Sequence, residues 1–238
     1  VCILMNYLIF GTIILGLAWL FSDHPDHWTG YVIIAATPPA IAIIPFTFNL
    51  KGDTNFSIIG VFGGNLMGIV ITPLIFFIFS GQGLINPVDM VKILLTMLIV
   101  PLFVSRLFRH KSIYPVIDSF RGIIIDYGFF LVALTIIGLS RDLLFQYPDM
   151  IVIPALIFFL AQFVAGSIFK VIMRKRMGDR KRIMSLSLML TVKNAGFAAV
   201  IAISLFENPM VFLPAAILSV MMPLYYIFES NVSGKLLR

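Results

Sequence analysis

Apolar residues run along this chain in long blocks, and short polar or charged stretches separate them. Eight blocks approach or exceed the length a membrane helix needs, about 20 residues. They are A, 1–21; B, 30–50; C, 56–80; D, 88–108; E, 117–139; F, 150–172; G, 183–206; and H, 210–228. None alternates apolar and polar positions over ten or so residues, as the strands of a membrane barrel do. The pattern predicts an all-α polytopic membrane protein with eight spans.

Composition agrees. The chain is 60% hydrophobic and 12% charged, with a mean hydropathy of +1.05. An ordinary soluble domain carries roughly 25% charged residues. Too few polar side chains remain to cover a water-facing globule. No signal peptide is visible. The single cysteine, Cys2, excludes an internal disulfide.

The net charge of +6 matters through its placement. Lys51 follows B; Arg106, Arg109, Lys111 and Arg121 lie around the D–E turn; seven basic residues fill "KVIMRKRMGDRKR" between F and G; Lys235 and Arg238 end the chain. The intervening turns hold only Arg141. Positive-inside bias then puts both ends on the cytoplasmic side of an inner or plasma membrane. The basic F–G stretch reads as a topogenic cluster, not a nucleic-acid site. Lys92 lies at the outer end of D and can snorkel.

Lys193 is left over, near the midpoint of G in "LMLTVKNAGFAAVIA". A cation there costs about 2.5–3.5 kcal/mol on insertion scales. Thr191, Asn194 and Gly196 surround it. Near the centre of B stand Pro38, Pro39 and Pro45, which break a helix by removing backbone donors. Freed backbone groups at that depth persist only inside protein or beside a water-filled cavity. A–B–C and F–G–H thus read as paired triplets of opposite orientation. Residues 1–80 would be core helices of one repeat, 81–139 panel helices D and E, and 140–238 core helices of a second repeat. Symmetry then asks for two helices before A, a ten-span protein whose fragment starts at the third helix. Inverted repeats with broken helices are typical of secondary transporters. In C, Gly60, Gly64 and Gly68 recur every fourth residue, beside Asn65, and permit close helix approach.

The stretches "KGDTNFSIIGVFGGNLMGIVITPL" and "KNAGFAAVIAISLFENPMVFLPAAILSVMMPL" resemble the bile acid:sodium symporter family. The resemblance implies a core of A, B, C, F, G and H in which unwound B and G cross. It implies a small organic anion as substrate, moved by alternating access and usually coupled to sodium. The positions corresponding to the family's sodium ligands depart from its pattern: Ile43 and Ile44 replace a Ser-Asn pair, Val61 a threonine, Met189 a glutamate and Lys193 a glutamine. Ser57 and Asn194 are kept. Sodium is therefore not expected as a cofactor. Lys193 is expected to replace it, either as a fixed strut or as a group that exchanges a proton. A lysine paired with a buried acid, Asp126 foremost, is the purely structural alternative. A sodium symporter with displaced ligands is the alternative within transport; a membrane sensor or non-transporting subunit lies outside it.

Thr37, Thr47, Ser57, Asn65, Thr191, Lys193 and Asn194 are the candidate lining of the site, with the lipid bilayer and a small organic anion as partners. Oligomeric state is not legible. "DHPDH", 23–27, is too stiff and too isolated for a zinc site. The histidines all lie outside the apolar blocks, which disfavours enzymatic hydrolysis within the membrane.

Overall fold

The computed structural model describes residues 1–22, 24–79, 86–110 and 114–236. It is helical; among the described residues there is no β-strand, only one isolated antiparallel bridge between Pro39 and Lys193. The last residue of block C, most of the C–D turn, Asp23, Lys111 and Arg238 lie outside the described residues.

Among the described residues, six helices are long and apolar enough to cross a membrane: α1, Leu4–Phe21; α4, Thr54–Phe79; α5, taken from Pro87–Leu107; α6, Tyr114–Leu139; α8, Asp149–Arg176; and the final helix α11, Leu213–Leu236, preceded by a 3-10 turn at Pro209–Val211. Blocks B and G are each divided. B becomes α2, Pro25–Ala36, and α3, Ile43–Asn49. G becomes α9, Arg180–Thr191, and α10, Ala195–Leu205. A short α7, Arg141–Gln146, joins α6 to α8. The eight blocks therefore appear as six continuous helices and two broken ones.

Helix ends differ from the hydropathy reading where polar residues favour a helix. Pro25 opens α2 at its first position, where a proline's fixed φ suits the helix. The expected A–B loop is shortened accordingly. The F–G loop shrinks likewise, to residues 177–179. Lysine and arginine are good helix formers, so α8 runs to Arg176, and Asp179 caps α9 by accepting from the amides of Lys181 and Arg182. Lys170, counted by sequence among the loop charges, lies inside α8 and is buried.

Two buried clusters organise the core. One joins α1, α2, α8, α10 and α11 through residues such as Phe10, Tyr31, Phe158, Ile201 and Leu218. The other gathers Cys2, Ile43, Val61, Met184, Met189, Val192 and Tyr225, and it includes residues of both breaks. Helices α5 and α6 are mostly exposed along their length. They touch the core chiefly through α4, α10 and α11.

Candidate functional site

The two breaks meet. Residues 37–42 interrupt block B and residues 192–194 interrupt block G, and they lie against one another as the Pro39–Lys193 bridge. The amide of Ala40 donates to the Val192 carbonyl at 3.5 Å. Pro38 and Pro39 are in the first break. Pro45 is not: it sits in the first turn of α3, where the helix has no use for its amide. Gly196 is the second residue of α10.

Breaking a helix frees backbone carbonyls, and each needs a partner when buried. Here side chains of the chain itself supply them. Lys193 Nζ donates to the carbonyls of Ala35 and Thr37, both at 2.8 Å. Thr72 Oγ1 donates to Ala36 at 2.7 Å, and Asn65 Nδ2 to Pro39 at 3.1 Å. On the other break, Asn6 Nδ2 donates to Met189 at 3.0 Å and Val192 at 3.2 Å. Gln162 Nε2 donates to Thr191 at 3.2 Å. Seven carbonyls at the two breaks are thereby bonded.

Lys193 is 0% exposed and also sits over the Tyr7 ring, its Nζ 4.7 Å from the centroid. Hydrogen bonds from a charged donor contribute about 1.5–3 kcal/mol each. A desolvated cation–π contact adds up to about 2 kcal/mol. Together they offset the insertion cost. The acid pairing weighed from sequence is not found. Asp126 is exposed on α6, and among the described residues no ion pair involves Lys193.

Of the residues singled out by sequence, Thr37, Asn65, Thr191, Lys193 and Asn194 come together at the crossing. Thr37, Thr191 and Lys193 are fully buried, and Asn65 is nearly so. Asn194 is half-buried and caps α10 by accepting from the Phe197 amide at 3.1 Å. Thr47 and Ser57 form a separate pair, their hydroxyls 2.9 Å apart, near the end of α3. Ile43, Val61 and Met189 share the second apolar cluster.

The glycine stripe of α4 lies along the crossing. A Cβ on Gly64 would stand 2.6 Å from Pro39 Cγ, and one on Gly68 would strike the Tyr7 hydroxyl and Pro38. Close approach of the broken segment is what that stripe permits.

Three buried, hydrogen-bonded polar residues are not singled out by sequence. Asn6 and Gln162 are each buried in a π-helical turn, Leu4–Phe10 of α1 and Phe159–Val164 of α8. Such turns mark functional sites in many helices. The signal was a lone polar residue in an apolar run, "LMNYLIF" and "FLAQFV". The third is Glu229 of α11, fully buried and bonded through Oε2 to Lys170 Nζ at 2.7 Å.

The model of the Sodium Bile acid symporter family matches residues 1–146. None of the curated proteins compared with the chain matches it.

Proposed function

The chain belongs to the Sodium Bile acid symporter family, and on that premise we propose that it is a sodium-independent carrier of a small organic anion. Membership makes it a multi-pass membrane transporter. The finer reading is that Lys193 holds the crossing as a bound cation would, while the carrier alternates access at that crossing. The ends of the chain lie in the cytoplasm of an inner or plasma membrane on this reading, and B and G each cross as two half-helices.

One observation carries it: side-chain nitrogens and hydroxyls of the chain itself bond the carbonyls at both breaks. A sodium ion needs several such oxygens at once. Ile43, Val61 and Met189 are apolar and packed together, and supply none. Those three positions give the ion no ligand. A π-helical turn with a buried amide in the first helix of each triplet, α1 and α8, supports the inverted repeat. So does a break in the second helix of each.

An anion is favoured because, among the described residues, no acidic side chain is paired with Lys193. Its bonded partners are neutral carbonyls, and the opposite charge is left for a ligand to bring. The amino end of α10, beside half-buried Asn194, adds a partial positive charge. Residues 1–80 and 140–238 form the core in this reading, and 81–139 the panel against which it moves.

The test is uptake of labelled small carboxylates, and of a bile acid, into proteoliposomes. Equal rates in sodium and in choline media are expected for the transported anion. A strict sodium requirement overturns the reading, as does failure of every organic anion to enter.

A further inference from the structure

The geometry points to Tyr7 as a positioning residue that completes a three-acceptor cage, holding Lys193 as an ammonium ion throughout the transport cycle. This rests on the reading above and goes one step past it. A lysine at the crossing is compatible with proton exchange or with a fixed charge, and the cage selects the second.

An ammonium group has three N–H donors and no lone pair; a neutral amine has two donors and a lone pair that needs a donor. What surrounds Nζ distinguishes them. Two carbonyl oxygens, of Ala35 and Thr37, stand at 2.8 Å. The third neighbour is the Tyr7 ring face, 4.7 Å to its centroid, whose quadrupole attracts a cation. All three are electron-rich. None offers a proton to an amine lone pair.

The titratable groups near the ammonium are few. Tyr7 comes from α1, and the buried Cys2 thiol from the turn before it. From α2, α4, α9 and α10 come carbonyls, hydroxyls and amides, with no acid paired to it among the described residues. A proton leaving Nζ would have no described carboxylate at hand to receive it.

Tyr7 is itself held. Its hydroxyl donates to the Gly64 carbonyl at 3.2 Å, and Gly68 leaves the space the hydroxyl occupies. The ring is thereby fixed between α4 and the ammonium. Its hydroxyl anchors it; its face acts on the charge. Phenylalanine keeps the face and leucine removes it.

The test reads the lysine directly. The purified protein is labelled with 13C at lysine Cε, and the Lys193 resonance is assigned by its absence in Lys193→Gln. It is followed from about pH 6 to about pH 10, toward the ordinary lysine range. In the unmodified protein and in Tyr7→Phe the resonance is expected to stay at its ammonium position. In Tyr7→Leu it is expected to move to the amine position within that window, the ammonium form losing at least tenfold in population at the alkaline end. Movement to the amine position in the unmodified protein overturns the proposal, whether or not Tyr7→Leu folds. So does a Tyr7→Leu resonance that stays in place. The measurement needs no substrate. A protein that holds its ammonium but moves no organic anion refutes the carrier reading alone. One that transports without sodium but titrates at Lys193 refutes the cage alone.

Discussion

Replacing Lys193 by alanine separates a structural cation from a dispensable one. Lys193→Ala leaves the carbonyls of Ala35 and Thr37 buried without their donor. Each orphaned carbonyl costs about 1–3 kcal/mol. Three buried methylenes are lost as well, at about 0.8 kcal/mol each. Against this, the protein no longer buries a cation, which returns about 3 kcal/mol. The balance is a loss of about 3 kcal/mol. At about 2–4 °C per kcal/mol for a chain of this size, Tm should fall by about 6–12 °C. The space vacated is cation-sized and faces two carbonyl oxygens. Sodium should therefore stabilise the variant and leave the unmodified protein unchanged. At ten times its Kd a ligand contributes about 1.4 kcal/mol, or about 3–6 °C. The assay is thermal unfolding in detergent, in sodium chloride and in choline chloride at equal ionic strength. Stabilisation of the unmodified protein by sodium refutes the reasoning, as does an alanine variant that melts with the unmodified protein in both salts.

Three further outcomes follow from the packing. Glu229→Gln or Lys170→Met breaks a pair buried between α11 and α8 and should cost about 3–5 kcal/mol, whereas the double apolar replacement Lys170→Met with Glu229→Leu should recover most of it; denaturation of all three variants gives the comparison, and equal losses in the single and double variants would contradict it. Gly64→Ala should cost about 1–3 kcal/mol because its Cβ meets Pro39, while Gly122→Ala on α6 meets nothing within 4 Å and should be neutral or slightly stabilising; similar melting of the two variants argues against close packing at Gly64. Burial first, and the charge of His24 second, push the His27 imidazole below its ordinary value, against a smaller upward pull from Asp26. The folded state then binds fewer protons than the unfolded one in mildly acidic solution. This stability is complete above the ordinary imidazole value of about 6.5 and is lost as pH falls below it. Tm should drop between neutral pH and about pH 5 by less in His27→Leu than in the unmodified protein, and an equal drop in both removes His27 from the effect.

What hydropathy could read was the location of the apolar blocks, because a bilayer sets their length. The two breaks were readable for local reasons: adjacent prolines remove donors, and a lysine cannot lie in an apolar helix without oxygen partners. Other features depended on pairing across the chain. Asn6 meets carbonyls 183 and 186 residues away, so its role is invisible locally. Glu229 and Lys170 looked like ordinary charges at the ends of apolar runs until folding brought α8 and α11 together. Thr47 and Ser57 are hydroxyls on the expected elements, yet their hydrogen bond to each other lies away from the crossing.

A tethered cation changes what the crossing can do. A dissolved ion enters from one side and leaves on the other, and its gradient can drive uptake. Lys193 cannot leave, so its charge contributes to affinity in both orientations of the carrier alike. At an effective dielectric of about 20, a unit anion about 8 Å from Nζ gains about 2 kcal/mol, roughly thirtyfold in affinity. Equal binding energy on both faces shifts neither orientation over the other. The direction of net transport must then come from the substrate's own gradient or from a second anion exchanged for it. A preloaded vesicle should accordingly accelerate entry of labelled anion on the opposite side. Entry against a gradient with no internal anion, in the absence of sodium and of a pH difference, would mean that a source of energy other than this fixed charge is at work.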